Sequence, residues 1–255
     1  MHRFYVNQRV QELGQTVTLS REESEHAARV LRLREGQSVH LLDGEGLYEA
    51  KLSAVSTQET SATVTAVLPS PEASAKAVLL QGLPKADKLE MIVQKATELG
   101  AWALWPVEME RSIARAERDE KGNKKRERLA RIALEAAKQS GRAHVPEIFQ
   151  TLAFDQAVEL ISKSKDEDGY DAVFVAWEEE RALPLSEAVK TYVRERGTPR
   201  RVLLVVGPEG GISQSEWKRL KDLGAVSVTL GRRILRTETA GLCALAVLWA
   251  ALGEM

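Results

Sequence analysis

The most restrictive feature of this 255-residue sequence is a series of short apolar segments that alternate with helical patterns from residue 78 onward. The apolar segments predict strands at 78–83, 102–107, 171–177, 202–206 and 226–230. Apolar residues at helical spacing predict helices at 88–99, 124–140, about 184–196, 214–223 and 238–252. Continuous apolar strands in alternation with helices predict an α/β fold whose parallel sheet is covered on both faces.

The first 70 residues show a different pattern, that of a small β-barrel-like module. Residues 39–55 predict a hairpin that turns at 43–46, where the sequence is Asp-Gly-Glu-Gly. Residues 62–68 alternate between small polar and apolar side chains and predict a further strand. A short helix is predicted at about 22–31, since Ser20 and Glu23 have the spacing of a capping box.

A segment rich in Pro, Ser and Ala separates the two patterns. It covers residues 68–75 and is the predicted linker. The sequence therefore predicts two domains, residues 1–70 and residues 71–255, which also suits a chain of this length.

Composition favours a soluble protein in a reduced compartment. The chain is 44% hydrophobic and 29% charged. Its longest apolar run, 240–252, is shorter than the roughly 18 to 20 residues that a membrane span requires. The N-terminal segment lacks an apolar signal-peptide core, and the single cysteine, Cys243, cannot form an internal disulfide. These features predict a cytoplasmic protein with no membrane partner.

Positive charge is concentrated in one part of a nearly neutral chain. The formal net charge is −1, yet residues 111–142 hold 11 basic and 5 acidic residues. Such a segment predicts either a local phosphate-binding strip or a solvated helix with many ion pairs. The histidines at 26, 40 and 144 are not grouped with cysteines or acidic residues, so no metal site is expected.

Two loops that follow predicted strands have unusual sequences. The first, 206–213, reads VGPEGGIS, and Ser213 with Glu216 predicts a capping box at the start of the next helix. Its three glycines allow a ligand to approach the backbone closely, although a tight strand-to-helix turn without a ligand explains them equally well. The loop matches neither the dinucleotide-binding nor the P-loop pattern.

The second loop, 230–241, reads LGRRILRTETAG and carries three arginines beside apolar side chains. Thr237 is placed to cap the helix that follows. That helix is apolar on every side, which predicts burial by more than one partner surface. Its second partner is either a neighbouring subunit or the interior of the same chain.

GPEGGIS followed by LGRRILRTETA resembles the bacterial 16S ribosomal RNA uridine-N3 methyltransferases of the SPOUT class. The resemblance extends to HAARVLRLREGQSVHLLDGEG, LPKADKLEMIVQKATELGAWALWPV, ERS at 110–112, and LEAAKQSGRAHVPEI. It therefore covers nearly the whole chain in order. It implies a trefoil-knotted parallel-sheet SPOUT methyltransferase domain preceded by a small PUA-like β-barrel domain.

The resemblance also implies the cofactor S-adenosyl-L-methionine and the side chains that surround it. The implied cofactor-binding residues are Gly207, Pro208, Glu209, Gly210, Gly211, Leu230, Gly231, Ile234, Leu235 and Arg236. The strand end at 175–178 is a further candidate wall.

The implied reaction is methyl transfer to N3 of a uridine in 16S ribosomal RNA, and the implied partner is the small ribosomal subunit that contains this RNA. That nitrogen must lose a proton before it attacks, so a base or a cation is required. Arg236 is the candidate cation, and Glu209 or Glu238 is the candidate base, although each carboxylate is also suited to orient a loop or cap a helix. Because N3 lies on the pairing edge, the target must be unpaired or extruded.

The resemblance implies RNA contacts and a homodimer as well. The candidate RNA-binding residues are Arg29, Arg32, Arg34, Lys85, Arg111 and Arg142, whose alternative role is surface solvation. Two other functions stay open at this point. One is ribose 2′-O-methylation of transfer RNA by a SPOUT enzyme, and the other is RNA binding by a scaffold that transfers no methyl group.

Overall fold

The computed structural model describes residues 1–85, 88–117, 119–163 and 169–255. Residues 86 and 87 of the LPKADK motif and residue 118 of the basic segment thus lie outside the described residues. The chain forms two compact units. The first comprises residues 1–72 and 137–145, and the second comprises residues 73–136 and 146–255.

The first unit contains a five-stranded sheet in the order β1-β3-β4-β5-β2. Its elements are β1 (Arg3–Tyr5), β2 (Thr16–Thr18), α1 (Arg21–Glu25) with a π-helical continuation (His26–Val30), β3 (Ser38–Leu42), β4 (Leu47–Ala54) and β5 (Ser61–Leu68). Strand β1 pairs with β3 in parallel, and the other pairs are antiparallel. Within residues 1–72, which are all described, no pairing joins the edge strands β1 and β2.

The predicted hairpin of this unit is confirmed as β3 and β4. Leu42 pairs with Leu47 at the turn. The Asp43 carboxylate accepts hydrogen bonds from the amides of Glu45 at 3.0 Å and Gly46 at 2.8 Å, which is how aspartate stabilises such turns. The alternating inward residues, among them Phe4, Leu41 and Leu52, form the core of the unit.

A buried ion pair closes the first unit at the linker. The guanidinium of Arg142, 5% exposed, lies against the carboxylate of Glu72, with 2.5 Å between Nη2 and Oε2. Glu72 also accepts hydrogen bonds from the amides of Ala143 at 2.9 Å and His144 at 3.1 Å. Tyr5 donates its hydroxyl proton to the carbonyl of Arg142. Arg142 is therefore a structural residue of this unit.

The second unit contains a parallel sheet of seven strands. They are β6 (Lys76–Gly82), β7 (Ala103–Glu108), β8 (Glu147–Ile148), β9 (Leu152–Ala153), β10 (Ala172–Ala176), β11 (Arg201–Val206) and β12 (Val226–Val228). The order is β12-β10-β11-β6-β7-β8, and β9 pairs with β7 beside this path. All five predicted strands are confirmed, and the central ones are buried along almost their whole length, as strands covered on both faces must be.

Six helices accompany this sheet in the described part of the unit. They are α2 (Lys88–Glu98), α3 (Glu120–Ser140), α4 (Phe154–Lys163), α5 (Leu185–Arg196), α6 (Gln214–Asp222) and α7 (Thr237–Leu252). The apolar α7 packs against α5, α2 and the strands β6 and β11. Its Trp249 indole donates to the carbonyl of Leu99 at 2.6 Å. None of the helices in the described ranges is both long and apolar enough to cross a membrane.

Candidate active site

The carboxyl ends of β10, β11 and β12 surround a cavity of about 510 Å³ in the second unit. Its walls are the segments 176–178, 180–181, 206–211, 228–231 and 233–237, with Lys88 of α2 and Ala240 of α7. This is the edge at which open parallel sheets bind ligands. A cavity of this volume lies within the range of small-molecule sites, about 300 to 1,000 Å³.

The two loops singled out in the sequence meet in this cavity. All ten predicted cofactor-binding residues line it, namely Gly207, Pro208, Glu209, Gly210, Gly211, Leu230, Gly231, Ile234, Leu235 and Arg236. The strand end with Ala176, Trp177 and Glu178 also lines it. Strands β11 and β12 both pair with β10 in parallel, so all three end at the same edge of the sheet. The loops that follow them therefore meet there.

The glycines of the first loop pack tightly against protein atoms. A Cβ on Gly207 would lie 2.8 Å from Cγ1 of Ile212, and a Cβ on Gly210 would lie 2.8 Å from Cβ of Arg111. Gly211 has a φ of +76°, and a Cβ there would clash with a carboxylate oxygen of Glu178. The glycines are thus required by the conformation of the loop itself. This agrees with the alternative interpretation of the sequence, a tight strand-to-helix turn.

Two charged side chains hold this loop from outside. The carboxylate of Glu178 accepts a hydrogen bond from the Ile212 amide at 3.1 Å. The guanidinium of Arg111 donates to the carbonyl of Gly210 at 3.2 Å and lies 3.7 Å from Oε1 of Glu178. Arg111, predicted to contact RNA, therefore already has partners within the protein.

The helix that follows the loop begins as predicted. Ser213 and Glu216 form a reciprocal capping box at the start of α6. Glu110 accepts hydrogen bonds from the hydroxyls of Ser213 at 2.7 Å and Ser215 at 2.9 Å, and these bonds lower the pKa of its carboxyl. The loop is consequently fixed at its end by side chains from two segments.

The prediction that Thr237 caps the last helix is wrong. The N-cap of α7 is Arg236, which makes no side-chain capping bond, and Thr237 is the first helical residue. The hydroxyl of Thr237 donates to the carbonyl of Gly207 at 2.6 Å and accepts from Nε2 of Gln81 at 2.7 Å. These polar groups are buried, and they join β6, the first loop and α7. Sequence reasoning missed Gln81, although it is the one polar side chain at the end of an apolar strand.

Lys88 links two carboxylates at the wall of the cavity. Its ammonium lies 3.1 Å from Oε1 of Glu209 and 3.2 Å from Oε2 of Glu238, and these contacts raise the pKa of Lys88. Burial acts to raise the pKa of Glu209, but hydrogen bonds from its own amide, from Lys88 and from the Lys85 amide outweigh burial and lower it. Lys88 was not among the predicted site residues, because its position on α2 is far from both loops in the sequence.

The remaining predicted residues differ in their surroundings. Arg236 is exposed, as are Lys85, Arg29, Arg32 and Arg34. Arg29 pairs with Glu25 at 2.7 Å within the helix of the first unit. The described ranges contain no group of three or more side chains suited to hold a metal ion.

Two family models match this chain. A model of the RNA methyltransferase domain matches residues 71–249, and a model of the RNA methyltransferase PUA domain matches residues 19–64. The chain belongs to the RNA methyltransferase family. Its relatives in this family include the ribosomal RNA small subunit methyltransferase E of Bacillus subtilis, 37% identical over 253 residues that cover 97% of this chain and 96% of the relative.

Solved structures support membership of the RNA methyltransferase family. A ribosomal RNA small subunit methyltransferase E from Neisseria gonorrhoeae, bound to S-adenosyl methionine, superposes with a TM-score of 0.79 at 29% identity and covers 98% of this chain and 97% of its own. A putative methyltransferase from Legionella pneumophila, in complex with the same cofactor, superposes with a TM-score of 0.75 at 30% identity and the same coverage. The expected α/β fold with a PUA-like N-terminal domain is confirmed by these matches.

Proposed function

We propose that this chain transfers the methyl group of S-adenosylmethionine to N3 of a uridine in 16S ribosomal RNA. The observation that carries the proposal is the cavity at the carboxyl ends of β10, β11 and β12, which brings together both loop motifs in a member of the RNA methyltransferase family. The names of relatives that span nearly the whole chain support ribosomal RNA of the small subunit as the substrate.

The residues of the cavity fit the proposed cofactor. Leu230, Ile234 and Leu235 offer apolar contacts to an adenine ring, and backbone groups of the same loop offer hydrogen bonds. The loop at 207–211 would hold the rest of the molecule. Bound S-adenosylmethionine supplies an electrophilic methyl group on a sulfonium, so the chain has to provide placement rather than the reactive group.

Arg236 is the residue that we assign to the acceptor base. Its guanidinium keeps its charge at neutral pH and can donate hydrogen bonds to a uracil carbonyl oxygen. Donation to that oxygen stabilises the negative charge that develops when N3 loses its proton. Arg236 stands at the mouth of the cavity, exposed and without a salt-bridge partner in the described part of the chain.

Glu209 is less suited to act as the general base than to position its loop. A base works best when its pKa lies near the operating pH, whereas the pKa of Glu209 is lowered. The same carboxylate is engaged with Lys88 at 3.1 Å and with the Lys85 amide at 3.2 Å. Glu238, the other candidate base, is likewise engaged, with 3.2 Å between its Oε2 and the Lys88 ammonium. We therefore assign proton removal from N3 to water assisted by Arg236.

We further propose a division of labour between the domains. Residues 1–70 form the RNA-binding PUA-like domain, with Arg29, Arg32 and Arg34 as exposed cations that contact the RNA backbone. Residues 71–255 form the knotted methyltransferase domain. Lys85 is an additional phosphate contact, whereas Arg142 is left out because Glu72 already holds its buried guanidinium.

A homodimer in the cytoplasm completes the proposal. The α7 helix is apolar all round, yet Leu242, Cys243, Ala246 and Val247 stay only half-buried in the single chain. A second copy of the chain would cover this face. Sedimentation of the pure protein tests the dimer.

The decisive experiment incubates the protein with radiolabelled S-adenosylmethionine and small ribosomal subunits that lack the modification. We expect label in 16S ribosomal RNA and 3-methyluridine on nucleoside mass spectrometry. A ribose-methylated nucleoside would replace the proposed reaction with 2′-O-methylation. Absence of transfer, together with normal cofactor binding by calorimetry, would leave a non-catalytic RNA-binding protein.

A further inference from the structure

Three arginines stand at the mouth of the cavity. Arg181 follows β10, whereas Arg233 and Arg236 follow β12, and all three line the cavity. Their side chains are exposed. Among residues that the structure describes, none of the three guanidiniums makes an ion pair or a side-chain hydrogen bond. Arg232, beside them, is exposed in the same way.

The carboxylates that line the same cavity are all engaged. Glu178 accepts from the Ile212 amide at 3.1 Å, and Glu209 lies 3.1 Å from Lys88. Glu180 accepts from the Ala182 amide at 2.8 Å and from the Ser227 hydroxyl at 2.7 Å, bonds that lower its pKa. The carboxylates thus stabilise the walls of the cavity, whereas the three guanidiniums are exposed to solvent.

This asymmetry indicates an anionic ligand at the mouth. Several like charges around one cavity repel each other, and a cleft lined by one sign of charge attracts the opposite sign. A guanidinium pairs with phosphate through two parallel hydrogen bonds.

We infer that Arg181 and Arg233 bind the RNA phosphates that flank the target uridine. The inference rests on the proposed function, because extrusion of a base to expose N3 draws its own backbone to the mouth of the pocket. Two loops from different strands supply the two cations, which suits two successive phosphates. Arg236 remains the residue that faces the base.

A cofactor carboxylate is the other anion of this chemistry, and charge argues against it. S-adenosylmethionine carries one carboxylate beside a cationic ammonium and a cationic sulfonium, whereas an RNA strand carries a negative charge at every phosphate. The exposed guanidiniums of Arg181 and Arg233 carry more positive charge than one carboxylate neutralises. We therefore assign them to the larger ligand.

The test compares Arg181→Gln and Arg233→Gln with the matched variant Arg194→Gln. Arg194 is an exposed arginine near the C-terminal end of α5, which precedes β11 and so lies toward the opposite edge of the sheet. Binding of a 16S ribosomal RNA transcript is measured at a series of salt concentrations with S-adenosylhomocysteine present. Each pocket variant should bind RNA about tenfold more weakly. Its slope of log affinity against log salt should fall by about 0.7 per lost phosphate contact.

Arg194→Gln should match the wild-type slope, and all variants should bind S-adenosylmethionine with wild-type affinity by calorimetry. An unchanged salt slope in the pocket variants would overturn the inference. A loss of cofactor affinity without a loss of RNA affinity would reassign the arginines to the cofactor carboxylate. A shift from dimer to monomer in Arg233→Gln would reassign that residue to a subunit contact.

The proposed function is tested by a separate measurement, methyl transfer to small ribosomal subunits. If the wild-type protein transfers the methyl group and the pocket variants keep the wild-type salt slope, the inference is refuted and the proposed function stands. Wild-type protein that binds the transcript with the predicted arginine dependence but transfers nothing refutes the proposed reaction alone.

Discussion

The hydroxyl of Thr237 donates a 2.6 Å hydrogen bond to the carbonyl of Gly207, and this bond joins the start of the last helix to the first loop of the cavity. Because a carbonyl can only accept, the proton of the hydroxyl is committed to Gly207. The hydroxyl must therefore accept from Gln81, and it does so from Nε2 at 2.7 Å. The buried side chain of Thr237 therefore connects the two loops that form the cavity.

Replacing Thr237 by valine should loosen this connection with little change of volume. The variant leaves the buried Gly207 carbonyl without its partner, at about 1 to 3 kcal/mol. The Gln81 amide loses one of its two acceptors and keeps the Gly82 carbonyl at 3.1 Å. We expect S-adenosylmethionine to bind at least tenfold more weakly by calorimetry. Thr237→Ser keeps the hydroxyl and is the matched control. Equal affinities for the two variants would show that the hydroxyl does not set the geometry of the cavity.

Substitution of two glycines should separate loop conformation from ligand approach. Gly211 has a φ of +76° and packs against Glu178, whereas Gly231 has a φ of +116° and open space around its Cβ position. Gly211→Ala should therefore lower both thermal stability and cofactor affinity, because Glu178 has to move. Gly231→Ala carries backbone strain alone, about 1 to 2 kcal/mol. Calorimetry and thermal melts of both variants check the order.

Cofactor affinity at acidic pH should depend on the ionisation of Glu209. Its pKa is lowered in the folded protein, so the ionised carboxylate stabilises the loop at pH values above the ordinary glutamate pKa. That stabilisation is lost as the pH falls through the lowered pKa. Cofactor affinity should stay constant from about pH 6 to 8 and decline only in stronger acid. In Lys88→Met, where the partner charge is absent, the decline should begin at a higher pH.

Glu209→Gln distinguishes positioning from base catalysis. If Glu209 only positions its loop, turnover should fall less than tenfold, and the main loss should be in KM for S-adenosylmethionine. A general base would contribute about 100- to 10,000-fold to turnover. Single-turnover methyl transfer under saturating cofactor measures the difference. A loss of that size would return Glu209 to the role of base.

The buried pair of Arg142 and Glu72 should be essential for the stability of the first unit. Arg142→Met leaves the Glu72 carboxylate without its partner, in a place where its side chain is 14% exposed. Removal of one partner of a buried pair costs about 3 to 5 kcal/mol of unfolding free energy. Urea unfolding measures the loss, and Arg142→Met combined with Glu72→Met should recover part of it. A surface role for Arg142 predicts almost no change in either variant.

The sequence predicted the order of elements well because burial on both faces leaves a direct trace in it. Continuous apolar strands such as 202–206 and the helices between them appear at nearly the predicted bounds. The short strands β8 and β9 were missed, since two-residue strands leave no periodic pattern. The helix α4 was missed as well, although its buried residues Phe154, Ala157 and Ile161 lie at helical spacing. The π-helical turn at 26–30 likewise has no sequence signal that distinguishes it from an ordinary helix.

The site was predictable where it lay within contiguous motifs and unpredictable where it depended on contacts between distant segments. Both loops could be identified because glycines and arginines are concentrated in them. Gln81 and Lys88 could not, because their roles depend on strands and helices that meet only in the fold. Arg142 shows the converse, since a motif residue with a charged side chain can be buried by a partner 70 positions away.

Arg236→Ala and Arg236→Lys should reveal how the acceptor base is activated. Its guanidinium is exposed at the mouth of the cavity and caps nothing, so its removal should hardly affect the fold. If it stabilises the uracil anion, Arg236→Ala should lower turnover about 100- to 1,000-fold, as the loss of one preorganised donor does in other enzymes.

Cofactor affinity of both variants should stay within a few-fold of wild type. Lysine keeps the charge but not the two parallel donors, so Arg236→Lys should recover only part of the rate. Raising the pH should also recover part of the rate of Arg236→Ala, because hydroxide then removes the N3 proton without help from a cation. Equal losses of turnover and cofactor affinity in Arg236→Ala, with no response to pH, would show that Arg236 binds the methyl donor and leaves the activation of N3 to another group.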